Sequence, residues 1–164
     1  MEKNIEIEMK NDNLAINITQ VKAYTTYQIL HNCKRELLDA INELDDTNII
    51  FTKTNSDLNG KVINKMIDEY TSENPKKSVG FISLGQLRYL SALQYVDAVV
   101  GNSSSGLLEA PSFKLGAINI GDRQKGRIRA ESVIDCLPDK KDIQKSFERL
   151  YSKDYQELLN TVSN

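Results

Sequence analysis

Histidine is nearly absent from these 164 residues: His31 is the only one, and the two cysteines, Cys33 and Cys136, are separated by most of the chain. That inventory assembles no zinc or iron ligand set at the spacings such sites use, so no metal and no cofactor are expected, and both thiols are read as reduced. An excess of one charge sign is missing as well. Lys and Arg total 21 against 23 Asp and Glu, a net charge of −2, and no basic run is interleaved with aromatics, which argues against a nucleic-acid partner. No apolar stretch approaches the ~18 residues that cross a bilayer. The first residues, Met1 to Glu8, are charged rather than apolar. A soluble, cytoplasmic chain without a membrane partner is therefore expected, about one domain long and able to bury a sizeable core.

What is present is an alternation of short apolar runs with longer amphipathic stretches. Residues 1–13 read as a polar lead-in, and 14–164 as the domain. Leu14, Ile16 and Ile18 alternate as in a strand, and Thr26 to Leu44 then carries Ile29, Leu30, Cys33, Leu37, Leu38, Ile41 and Leu44 at helical spacing. A second strand over Asn48–Thr52 precedes a helix from Lys61 to Tyr70, stopped by Asn74-Pro75. Ser78–Ile82 is the third strand, Leu84–Tyr95 the third helix, Asp97–Val100 the fourth strand, Ser105–Phe113 a short helix and Ala117–Ile120 the fifth strand. Val133–Asp135 reads as a short sixth, and one or two amphipathic helices follow from Asp139 to about Leu159. Strands alternating with helices imply right-handed crossovers and a doubly wound parallel α/β sheet, Rossmann-like, covered on both faces.

In such sheets ligands bind outside the carboxyl ends of the strands. The loop after the fourth strand is Gly101-Asn102-Ser103-Ser104-Ser105-Gly106, followed by a helical segment carrying Glu109. Ser103, Ser104 and the first N–H groups of that helix can hold a phosphate, and Glu109, one to two turns on, is placed to accept from sugar hydroxyls. The alternative reading is an ordinary serine N-cap after a buried strand. The loop after the fifth strand, Gly121-Asp122-Arg123-Gln124-Lys125-Gly126-Arg127, concentrates cations. Arg123, directly after the strand, suits a phosphate grip through its fork of donors, while Lys125 reads as a solvated charge. After the second strand come Lys53, Asn55, Asp57, Asn59 and Lys61.

The Ser loop, then Glu109-Ala110-Pro111-Ser112-Phe113, then Asn119 through Arg127 together resemble the C-terminal domain of hydrolysing UDP-N-acetylglucosamine 2-epimerases of the sialic-acid and related nonulosonate pathways, over about residues 45–160. The resemblance implies half of a glycosyltransferase-B-like enzyme that binds a UDP-sugar between two Rossmann-like halves. It makes UDP or UDP-N-acetylglucosamine the ligand, and the missing N-terminal domain, or a second copy in a homo-oligomer, the protein partner. It places Ser103 and Ser104 on the diphosphate, Glu109 on the uridine ribose and Arg123 on the phosphate side. On the resemblance alone, Asn55 lies near the nucleotide, backbone groups at Leu84 meet the uracil, and Lys61 borders the cleft with Arg127.

Two departures from that family stand out. The carboxylates that remove and return the C2 proton belong to the family's first half, which has no counterpart here, so no catalytic residue is assigned and the chain alone is expected to be inactive. A His-Pro step of the family is replaced by Thr19-Gln20, and His31 reads as an ordinary helix residue. One set of codons for Asn17–Ala23 contains His-Pro in an offset frame, which makes Ile18–Asn32 candidate out-of-frame sequence; a gene lacking CAC or CAT in that frame refutes the idea. Gly116 stands where relatives carry Pro, an exchange expected to matter little. Two other functions fit the same pattern: a glycosyltransferase nucleotide-binding domain, and a non-enzymatic, degenerate nucleotide-sugar-binding fragment.

Overall fold

The computed structural model describes residues 14–18, 27–53 and 58–161, with side chains for 35–53 and 60–161. Six strands, β1 (Leu14–Ile18), β2 (Thr47–Thr52), β3 (Ser78–Phe81), β4 (Ala98–Gly101), β5 (Gly116–Ile120) and β6 (Val133–Cys136), form one sheet in the order β3-β2-β1-β4-β5-β6. Every pairing is parallel. The helices are α1 (Tyr27–Asn42), α2 (Leu58–Glu73), α3 (Gly85–Ala92), α4 (Ser104–Leu108), α5 (Lys140–Leu150) and α6 (Lys153–Thr161). None is long and apolar enough to cross a membrane among the described residues.

Both sheet faces are buried, as the near-continuous apolar strands require. Ala98, Val100, Ile118, Ile120, Ile49 and Phe51 pack against Leu37, Ile41, Ile63, Ile67, Ile143, Phe147 and Leu150 of α1, α2 and α5. Val99 and Ala117 turn to the other face and meet Leu93, Val96 and Ala110. Strand alternation thus sorts neighbouring residues into two half-cores. Polar contacts fix the helices around them. Lys77 donates to the carbonyls of Ile41 (3.0 Å) and Leu44 (2.8 Å), closing the end of α1, while Glu36 of α1 accepts from the Lys140 backbone N–H at the start of α5 (2.9 Å).

The stretch expected as one short helix over 105–113 is two pieces: α4 ends at Leu108, and a 3-10 turn runs from Ala110 to Phe113. Pro111 is the reason, since inside a continuous α-helix it has no N–H to give and its ring meets the carbonyl one turn back. At the C-terminus the one-or-two-helix expectation resolves as two, with Ile143, Phe147, Leu150 and Tyr155 buried as read, and Leu159 buried beside them. Tyr151 and Leu158 are only partly covered.

Gly116 lies at a closely packed position. A Cβ there would lie 2.4 Å from Leu150 Cδ1 and 3.0 Å from the Tyr155 hydroxyl. Leu150 is fully buried, and Tyr155 is held by donating its hydroxyl to the Ser132 carbonyl (2.6 Å). With this α5–α6 packing the site has no room for the side chain of Pro. Gly116→Ala is expected to destabilise the fold by about 1–3 kcal/mol through overpacking, read as a lower thermal midpoint; an unchanged midpoint would show that Leu150 and Tyr155 move aside freely.

Candidate functional site

The strand order reverses between β1 and β4. Connections from β1 lead toward β3 and those from β4 toward β6, so the loops at the carboxyl ends of these two strands diverge and leave a crevice. The loop after β1 carries Thr19-Gln20 and lies outside the described residues, as does Asn55. The loop after β4 is described in full, and the remaining site candidates lie on the same edge of the sheet. Leu84 occupies the N-cap position of α3 after β3, Lys61 is exposed in the first turn of α2 after β2, and Arg123 and Arg127 are exposed in the loop after β5. Lys61 follows β2, which β1 separates from β4 and its Ser loop in the sheet.

Ser103 is the N-cap of α4, with extended backbone (φ −79°, ψ 148°), and its hydroxyl accepts from the Ser105 N–H at 3.4 Å. The ordinary N-cap reading is therefore correct for Ser103 as far as it goes. Because α4 has only five residues, few peptide dipoles align, and any anion attraction comes from local N–H groups and hydroxyls instead of a long-helix field. Ser104 opens the helix, and Glu109, half-buried, closes it with its N–H on the Ser105 carbonyl (2.9 Å).

Two side chains, Tyr89 and Gln124, and the main-chain carbonyl of Asn102, all passed over by sequence reasoning, shape this loop. Tyr89, read only as part of an amphipathic helix, meets the Ser105 hydroxyl with its own. Burial pushes the Tyr89 phenol up to about 12, with the Ser105 hydrogen bond lowering it and the nearby Glu109 charge raising it. Glu109 is thereby within electrostatic reach of Tyr89. Asn102 is buried at the head of the loop, and its carbonyl accepts from both Arg123 (3.0 Å) and Gln124 Nε2 (2.7 Å). Gln124 is 2% exposed although cations surround it in sequence. Only its place inside the 121–127 motif hinted at it.

The geometry of the β5 loop explains why Arg123 and Gln124 diverge. Gly121 has φ 77° and ψ −170°, a conformation essentially restricted to glycine, and it starts a 3-10 turn over Asp122–Gln124. That turn sends Gln124 inward, while Arg123 stays exposed with one guanidinium nitrogen on the Asn102 carbonyl. Behind it, Asn119 donates to Asp135 (2.7 Å), and Arg129 pairs with the same carboxylate (2.5 Å), tying the connection down onto β6.

Residues 20–164 match the family model described as UDP-N-acetylglucosamine 2-epimerase. The chain belongs to that family. It is 42% identical over 123 residues to the GDP/UDP-N,N'-diacetylbacillosamine 2-epimerase (hydrolyzing) of Campylobacter jejuni, covering 75% of this chain and 32% of that protein. Similarity to the polysialic acid biosynthesis protein P7 of Escherichia coli is 36% over 130 residues, or 79% of this chain and 33% of that one. The chain thus spans about a third of the length of these curated relatives. Its fold matches the crystal structure of the Neisseria meningitidis UDP-GlcNAc 2-epimerase bound to UDP-GlcNAc, with a TM-score of 0.71 at 15% identity over 95% of this chain and 40% of that one. Glycosyltransferase-type folds also match, with a TM-score of 0.58 to a sucrose-phosphate synthase from Thermosynechococcus elongatus. The epimerase-family domain is therefore Rossmann-like and of the glycosyltransferase-B type.

The burial of the Tyr89 phenol makes a signed pH prediction. A phenol whose folded pKa is raised contributes stability that is fully present below its unfolded value near 10 and is lost as pH rises toward about 12. Removing the hydroxyl by Tyr89→Phe is expected to cost about 0.5–1.5 kcal/mol at neutral pH and to flatten the loss of stability between pH 10 and 12, measured by urea denaturation. An unchanged slope would mean that this phenol does not hold its proton in the fold.

Proposed function

We propose that this chain is the UDP-binding, C-terminal half of a hydrolysing UDP-N-acetylglucosamine 2-epimerase, an enzyme that eliminates UDP from the sugar nucleotide and hydrates the glycal to N-acetylmannosamine. The observation that carries the reading is the joined pair of loops. The Ser loop and the Arg123 loop are joined at the Asn102 carbonyl, which puts serine hydroxyls, N–H groups and a guanidinium on adjoining loops at the carboxyl edge of β4 and β5. That donor set suits a diphosphate. Ser103, Ser104 and Arg123 take this role, Glu109 takes the ribose hydroxyls and the backbone at Leu84 the uracil; Asn55, Lys61 and Arg127 border the nucleotide.

Two further features support a half-enzyme. The names of three relatives carry two sugars, N,N'-diacetylbacillosamine and N-acetylglucosamine, with UDP in each name and GDP beside it in one, which suits a half that holds the nucleoside diphosphate while the other half performs the chemistry. Ile82, Leu87 and Leu137, all near the carboxyl edge, are more than half exposed, an apolar rim that suits a facing N-terminal domain.

The test compares UDP with inorganic pyrophosphate by heteronuclear NMR titration. One charge-assisted hydrogen bond is worth about 1.5–3 kcal/mol, so Arg123→Ala is expected to weaken both ligands about ten-fold or more. Glu109→Ala is expected to weaken UDP and to leave pyrophosphate, which has no ribose, nearly unchanged. Shifts centred away from residues 101–127 would overturn the site, and N-acetylmannosamine formed by the chain alone, above a Glu109→Ala control, would overturn the half-enzyme reading.

A further inference from the structure

The Ser loop is tied to the β5 loop through the main-chain carbonyl of Asn102. Asn102, immediately before the N-cap Ser103, is 4% exposed, and its carbonyl accepts from two donors of the β5 loop. The donors are not equivalent. Arg123 comes from an exposed position, where water competes for its guanidinium. Gln124 is buried and makes the shorter bond, at 2.7 Å. A carbonyl at this position, if it rotated outward, would present partial negative charge where the bound diphosphate lies and would carry the following N–H groups out of line.

We infer that Gln124 is a positioning residue for nucleotide binding: its amide holds the Asn102 carbonyl turned away from the anion and thereby fixes the Ser103–Ser105 backbone in its binding geometry. This rests on the Ser loop being the diphosphate cradle. It assigns the two neighbours different work, with Gln124 setting the loop and Arg123 supplying charge to the ligand. The contact also explains why an amide suits the position. A carboxylate would repel the Asn102 carbonyl, and an aliphatic side chain would leave that carbonyl without its buried donor. The Gln124 Oε1 and Asn102 Oδ1 atoms are both buried without a hydrogen-bond partner among the described residues, so Nε2 is the Gln124 atom that ties the two loops, beside the exposed Arg123 donor.

The experiment uses the whole chain and two independent readouts. Amide hydrogen exchange without ligand is compared at Ser103–Ser105 and at β4 and β5 in wild type, Gln124→Met and Arg123→Met. UDP and uridine titrations follow on the same proteins. Gln124→Met is expected to speed exchange at the Ser loop about ten-fold relative to the strands, and to weaken UDP about ten-fold while changing uridine less than about two-fold. Arg123→Met is expected to weaken UDP with a much smaller change in loop exchange. Gln124→Asn, which keeps the amide but shortens its reach, should behave like Gln124→Met and serves if the latter fails to fold. Loop exchange that rises only in step with the strands, or UDP and uridine affinities that fall equally, would overturn the inference and leave Gln124 as a packing residue. A wild-type chain that binds no UDP would overturn the cradle reading instead, while the exchange comparison would still judge the positioning.

Discussion

The six described strands run in one direction, so every connection must carry the chain back across the sheet before the next strand begins. With right-handed crossovers, the chain builds outward from β1 to β3 and then returns to start β4 on the other side of β1. That reversal leaves one point on the carboxyl edge where successive loops part. The Ser loop is beside it, and the rest of the candidate site follows from how neighbouring loops reach in: α3 brings Tyr89 to Ser105, and the turn after β5 brings Arg123 and Gln124 to Asn102.

Those two contacts act on the N-terminal end of a short, marginal element. Five residues of α4 fall below the length at which a helix is stable by itself in water, so its geometry is imposed from outside. Tyr89 fixes the hydroxyl of Ser105, and Gln124 fixes the carbonyl before Ser103. The loop's own chemistry, a run of serines between glycines, allows many conformations. Its surroundings select one.

The same dependence on surroundings appears at Gly116. By sequence it opens an apolar strand, and its standing where relatives carry Pro looks of little consequence. Packing of α5 and α6 against the sheet brings Leu150 and Tyr155 to where a Cβ would sit, so a side chain at this position makes them shift. Nothing local to Gly116 carries that information, because Leu150 and Tyr155 lie more than thirty positions downstream.

The sequence by itself determined the element order, the parallel sheet and the edge on which the candidate residues lie. Period-two and helical patterns are local, and alternating them leaves few ways to wind a sheet. It also located the Ser loop, Glu109 and Arg123, since residue types with exposed chemistry stand out next to strand ends. Only the tertiary structure decided which side chains brace that loop. Gln124 and Tyr89 have neutral polar groups whose meaning depends on burial, and burial is set by the packing of residues distant in sequence. The break at Pro111, the inward turn permitted by Gly121 and the shared acceptor at Asn102 are likewise properties of how neighbouring segments meet.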